Sequence, residues 1–146
     1  MVVMDGPVGA DRTIPGDVLS LSEKLPYKGL AQFGDGFLNR FVGSQLSNPV
    51  LKYLSFIDTP GILSSKHRNS ARAYDFNKVM SWFSSRSDLI LLMFDANKLD
   101  VSDEFQDVIS AFKGNEDKIR CILNKADTLR VGVVKQNLYS KWLLDM

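Results

Sequence analysis

The sequence predicts an α/β fold, a mostly parallel sheet with flanking helices. Three observations carry that prediction. The second half of the chain alternates strand-like with helix-like segments: Leu54–Ile57, Tyr74–Ser85, Leu89–Phe94, Ser102–Lys113, Ile119–Leu123 and Val134–Leu144. Leu89–Phe94 and Ile119–Leu123 are near-continuous apolar runs, the pattern of strands buried on both faces. Phe76, Val79, Met80 and Phe83 fall at i, i+3, i+4 and i+7, as do Phe105, Val108, Ile109 and Phe112, which makes two amphipathic helices between strands.

The first half is loop-rich, punctuated by Gly6-Pro7, Gly9, Pro15-Gly16 and Pro26. Val2–Met4 reads as a short strand and Val18–Leu21 as weakly extended. Phe37-Leu38, Phe41-Val42 and Leu46 recur at helical spacing and predict a helix over Phe37–Leu46. Leu54–Ile57 reads as a buried strand. Ser102 followed by Asp103 and Glu104 reads as an N-cap with an acidic first turn, and Gly114 as the stop of that helix. Val134–Leu144 reads as a last helix.

A chain of 146 residues suits one domain, and 45% hydrophobic with 24% charged residues is ordinary for a globular protein. A net charge of +1 gives no bulk argument for a nucleic-acid partner. The single cysteine, Cys121, excludes an internal disulfide and fits a reducing compartment; within Ile119–Leu123 it reads as a small buried hydrophobe. The opening MVVMDGPVGADR has no basic start and no long apolar stretch, so it does not read as a signal peptide. The longest apolar run, Leu89–Phe94, is too short to span a bilayer. These features predict a cytoplasmic protein for which any membrane contact would be peripheral or through partners.

In open α/β sheets ligands sit at the carboxyl ends of the strands. Asp58 ends the first of the three, Asp95 the second, and Asn124-Lys125-Ala126-Asp127 the third. Asp58-Thr59-Pro60-Gly61 matches D-x-x-G of nucleoside triphosphatases: an Asp there can hold the magnesium shell through water, and a Gly backbone N–H can reach a γ-phosphate because no side chain blocks it. Asn124-Lys125-Ala126-Asp127 matches N-K-x-D. The Asn amide can tie the base-binding loop to the phosphate loop, the Lys stem can cover a purine face, and the Asp carboxylate can accept two N–H groups from a guanine edge. Taken singly, each tetrapeptide is as well explained by an ordinary loop, since Asn and Asp cap nearby backbone readily. Two in this order, each after a strand with a helix between, favour the nucleotide. No G-x-x-x-x-G-K-[ST] phosphate loop occurs in the 146 residues; Gly9–Arg12 and Gly34–Gly36 lack the Lys-Ser/Thr ending.

Beyond these motifs, FGDGFLNRFVGSQLSNPVL (Phe33–Leu51), IDTPGIL (Ile57–Leu63), YDFNKVMSWF (Tyr74–Phe83), LLMFDANKLDVSDEF (Leu91–Phe105) and NEDKIRCILNKAD (Asn115–Asp127) closely resemble the GTPase-like domain of the EHD family, EH-domain-containing, dynamin-related ATPases. The resemblance runs over residues 1–127 and implies a partial dynamin-type G domain of the P-loop NTPase fold that lacks its phosphate loop, which would precede the strand ending in Asp58; residues 128–146 read as a divergent helical tail. It implies ATP as the nucleotide, with GTP as the alternative that Asp127 alone would favour, and magnesium at Asp58. It also implies self-association through the G domain and membrane remodelling on endosomal or plasma membrane, in endocytosis and endosomal recycling. Contact with the membrane surface and with endocytic proteins would run through regions beyond these residues. Asp58 and Gly61 match the magnesium and γ-phosphate positions, with Thr59 and Pro60 completing that cofactor-binding motif, and Asn124, Lys125 and Asp127 match the base-binding positions; no catalytic residue is assigned. Ile62 stands where small signalling GTPases carry a water-orienting Gln. The resemblance predicts a fragment or natural short form, inactive alone, whose missing first strand exposes a neighbouring strand edge and apolar face. The competing expectation is a non-catalytic interaction or scaffold piece that binds no nucleotide.

His67, Lys66, Arg68 and Arg72 read as a solvated loop, Trp82 as core, and Asp95, Lys98 and Asp100 as loop capping before the next helix.

Overall fold

The structure, a computed structural model, describes residues 1–9, 11–61, 73–96 and 103–128, with side chains in the last stretch from 106 onward. The chain divides into two compact units, Met1–Val79 and Met80–Met146, each with its own sheet.

In the first unit, β1 (Val2–Asp5), β2 (Arg12–Pro15), β3 (Val42–Leu46) and β4 (Phe56–Ile57) make a four-stranded sheet in the order β2-β3-β1-β4. β1 runs parallel to β3 from Val2↔Gly43 to Asp5↔Leu46, while β2 on β3 and β4 on β1 are antiparallel. A parallel pair needs a crossover. Here it carries β2, α1 (Gly16–Leu21), a 3-10 stretch (Lys28–Phe33) and the single turn α2 (Asp35–Leu38). Its apolar residues pack with β1 to make the core: Val2 of β1, Leu19 and Leu30 are fully buried, and Phe41 stacks on Phe37 with centroids 5.3 Å apart and meets Tyr27 edge-on at 5.9 Å.

α3 (Phe76–Ser84) spans the boundary of the units and buries Phe76, Val79, Met80, Trp82 and Phe83, the face its spacing predicts, with Trp82 in the core as expected. In the second unit, β5 (Ile90–Asp95) and β6 (Ile119–Asn124) pair in parallel from Ile90↔Ile119 to Asp95↔Asn124. α4 (Asp103–Ala111) lies between them in sequence and buries Val108; Phe112 beyond it is buried too. Gly114, at φ +85°, occupies the left-handed region that ends the helical segment. No helix among the described residues is long and apolar enough to cross a membrane.

The α/β class holds, with mixed rather than mostly parallel pairing, and five expectations within it are corrected. The strands at Phe56–Ile57, Ile90–Asp95 and Ile119–Asn124 do not share one sheet: among the described residues β4 pairs with β1 and β5 with β6. Val42–Leu46 is a strand, because its burial alternates with period two and Gly43 packs against Leu19 and Met4; the Phe37–Phe41 contact belongs to the short turn before it. Gly16–Leu21 is helical rather than extended. The strand before Asp58 is two residues long, with Phe56 55% exposed and Ile57 partly so, and Leu54 just before it is exposed too; among the described residues it pairs on one side through two residues. Neither β5 nor β6 is buried on both faces: Leu89, Leu91 and Met93 are exposed, and so is Cys121. The predicted helix over Val134–Leu144, the 128–146 tail beyond Thr128, Ser102, Lys66–Arg68, Arg72, Lys98 and Asp100 lie outside the described residues.

Candidate functional site

The second unit builds its part of the site on a register. Asp95, the last residue of β5, is the Cα partner of Asn124, the last residue of β6, and the ladder runs one step further as Ala96 N–H donates to the Asn124 carbonyl at 2.9 Å. Both acids and amides thus arrive at the carboxyl end of one parallel pair. Lys125 follows with φ +59°, the one left-handed non-glycine residue among those described. Its backbone N–H donates to Asn124 Oδ1 at 2.9 Å, and its carbonyl accepts from Thr128 N–H at 3.2 Å and Thr128 Oγ1 at 2.6 Å. Ala126–Thr128 form the 3-10 turn this closes, with Asp127 exposed on it.

Lys125 Nζ reaches Asp95 Oδ2 at 2.7 Å. The hydrogen bond and charge of Asp95 hold the ammonium above the usual lysine range. Asn124, expected to tie this loop to a phosphate loop, here caps its own loop through Oδ1. Asp95 was read from sequence as a capping residue and its pairing with Lys125 was missed. The signal available was that each apolar run, Leu89–Phe94 and Ile119–Leu123, is followed directly by a polar residue, which sets Asp95 beside Asn124 once the pairing is known to be parallel.

In the first unit Asp58 continues the antiparallel β1–β4 ladder: its N–H donates to the Met1 carbonyl at 2.8 Å. Asp58, Thr59, Pro60 and Gly61 are all exposed at the end of β4, and among the described residues no atom stands within 4 Å of where a Cβ on Gly61 would be. Among the described residues no group of three or more His, Cys, Asp or Glu side chains could hold a metal ion. Of the described residues at this turn, Asp58 is the carboxylate that could act on magnesium through water. The structure brings Asn124, Lys125 and Asp127 together on one strand end and Asp58–Gly61 on another, in separate units.

The profile described as Dynamin family matches residues 23–126. The chain is 52% identical over 127 residues to EH domain-containing protein 1 of Arabidopsis thaliana, covering 87% of this chain and 23% of that protein. It is 51% identical over 129 residues to EH domain-containing protein 1 of Homo sapiens and 52% identical to EH domain-containing protein 3 of Homo sapiens, in both cases over 88% of this chain and 24% of the relative. The chain thus spans about a quarter of the length of these relatives. Likeness on that scale covers both strand-end motifs. The chain belongs to the dynamin family, and half-identity over most of its length sets it with the EHD, or EH domain-containing, proteins of that family.

Proposed function

We propose that this chain carries two parts of the nucleotide site of an EHD-type membrane-remodelling ATPase: a base-binding loop, Asn124–Asp127, and a magnesium and γ-phosphate turn, Asp58–Gly61. The observation that carries the reading is the built loop at the end of β6, where Lys125 is held at backbone and ammonium while the Asp127 carboxylate stays exposed. In this reading the lysine stem covers the base, Asp127 accepts from its edge, and Asp58 holds a hydrated cation. Magnesium, when bound, offsets the phosphate charge. ATP is the nucleotide the family likeness favours; an Asp carboxylate at that position pairs better with guanine N1–H and N2–H, which keeps GTP as the alternative. The larger protein would act peripherally on endosomal or plasma membrane in endocytosis and recycling, associating with itself through this domain.

A second reading, a non-catalytic scaffold piece, is favoured by one observation: the 146 residues contain no G-x-x-x-x-G-K-[ST]. Most triphosphate affinity comes from a ring of backbone N–H groups and one Lys in that loop. Calorimetry of residues 1–146 with magnesium and either ATP or GTP separates the readings. Weak binding that Asp127→Ala abolishes, without turnover, supports the partial nucleotide site. No heat with either nucleotide supports the scaffold. Micromolar binding, or turnover lost in Asp58→Ala, would mean that a phosphate site exists elsewhere in the chain.

A further inference from the structure

We propose that Asp95 is a positioning residue for the base-binding loop: it holds the Lys125 ammonium so that the lysine presents its apolar stem, not its charge, to a bound base. The inference rests on the reading of Asn124–Asp127 as base-binding and names a residue outside both nucleotide motifs. Three elements converge on Lys125. The register puts Asp95 beside Asn124, one residue before the lysine. The left-handed backbone at Lys125 is fixed by Asn124 Oδ1 on its N–H and by Thr128 on its carbonyl. The side chain is then anchored at its far end by Asp95 Oδ2 at 2.7 Å.

With backbone and ammonium both fixed, the methylene stem between them has little freedom left. A free lysine side chain gives up its rotamers when a base stacks on it; one already anchored has given them up beforehand, and pre-organisation of this kind strengthens binding without a new contact. The exposure of the pair says the same. Lys125 is 58% exposed and Asp95 28%, and an ion pair this open adds little to stability. Its contribution is therefore orientation. Burial of the carboxylate relative to the ammonium fixes which partner is the anchor.

The test uses the whole chain, residues 1–146, with Asp95→Asn and Asp95→Glu. Lysines are acetylated with a water-soluble reagent and the rate at each is read by peptide mass spectrometry, Lys24 and Lys52 serving as references. Asp95→Asn is expected to speed acetylation of Lys125 severalfold, with the reference lysines unchanged, and Asp95→Glu to restore most of the protection. Adenosine and guanosine at their highest soluble concentrations are then added in turn. At least one is expected to slow Lys125 acetylation in the native chain and to lose that effect in Asp95→Asn. An unchanged Lys125 rate in Asp95→Asn overturns the positioning role. If Asp95→Asn unfolds and every lysine accelerates, the folded Asp95→Glu chain decides, and loss of Lys125 protection there overturns it too. If Asp95→Asn acts on Lys125 as expected but neither nucleoside protects it in the native chain, the base-binding reading falls and takes the positioning role with it.

Discussion

Gly16 opens α1 against the carbonyl of Phe41: a Cβ at Gly16 would stand 2.6 Å from that oxygen and also crowd the carbonyl of Leu38. Both obstacles are backbone, so neither can swing aside as a side-chain tip would. Gly16→Ala should shift α1 or the link into β3 and cost about 1–3 kcal/mol, the usual scale of overpacking. Gly61→Ala is the comparison, because among the described residues nothing stands within 4 Å of its added methyl. Urea midpoints measure both. A Gly16→Ala midpoint as close to the native value as that of Gly61→Ala would show that the two segments are not packed this tightly.

Asp75 governs the entry to α3. Its Oδ1 accepts from the Lys78 backbone N–H at 3.1 Å and its Oδ2 lies 3.3 Å from Lys78 Nζ. The backbone hydrogen bond from Lys78 is the main reason its carboxyl lies below the usual range; slight burial opposes this, and the Lys78 ammonium adds to it. A carboxyl depressed on folding gives stability that is present above its unfolded value and is lost as pH falls through the folded one. The pH dependence from this group should therefore appear at and below the ordinary carboxylate range and vanish in Asp75→Asn. Asp75→Ala should cost about 1 kcal/mol near neutrality, mostly the lost cap, because the ion pair with an exposed lysine contributes little. Urea titrations across that pH range, with and without the substitution, check it; parallel curves would assign the pH dependence to other groups.

These two sites also show what the sequence could and could not convey. α3 and α4 were legible because period 3.6 persists over more than two turns, and β5 and β6 because short, largely apolar runs bounded by polar residues leave few alternatives. β2 and β3 were not: Arg12–Pro15 ends in a proline, and Val42–Leu46 contains a glycine whose missing side chain hides the alternation. Phe37 and Phe41 do touch at i, i+4, so the helical signal was physically real, but it belonged to one turn and not to ten residues. At the site, the Asn124–Asp127 loop was legible because chemistry and strand end coincide in sequence. The Lys125–Asp95 pair was not, because it depends on inter-strand register across thirty residues, which turn chemistry fixes in a hairpin but nothing local fixes in a parallel crossover.

Trp82 is buried, with its Nε1–H lacking a hydrogen-bond partner among the described residues. Its ring is otherwise well held: Phe83 meets it edge-on at 5.0 Å and the Arg86 guanidinium lies 4.1 Å from its centroid. Removing a buried donor that has no partner among the described residues recovers part of what the smaller ring loses in packing. Trp82→Phe should cost less than about 1.5 kcal/mol, far below the 3–5 expected for Trp82→Ala. Thermal melts of the two variants decide the matter. Equal losses would mean that the indole N–H has a partner.

β5 combines a thin sheet with an apolar face. Leu89, Leu91 and Met93 are 54%, 50% and 62% exposed while Leu92 is 8% exposed, so one side of the strand carries a stripe of large hydrophobic side chains to solvent. Among the described residues the sheet beneath has two strands, and a pair alone is marginal in water. An exposed apolar strand face beside an incomplete sheet is an aggregation site. Leu91→Lys with Met93→Lys should therefore suppress concentration-dependent light scattering on warming. At positions this exposed the two changes should leave the folded state within about 1 kcal/mol of the native chain, each surface substitution adding no more than about 0.5. Substituting Leu92 instead, on the buried side, should lower the melting temperature and leave scattering no better. Scattering that the double lysine variant fails to reduce, at unchanged melting temperature, would place the sticky surface elsewhere.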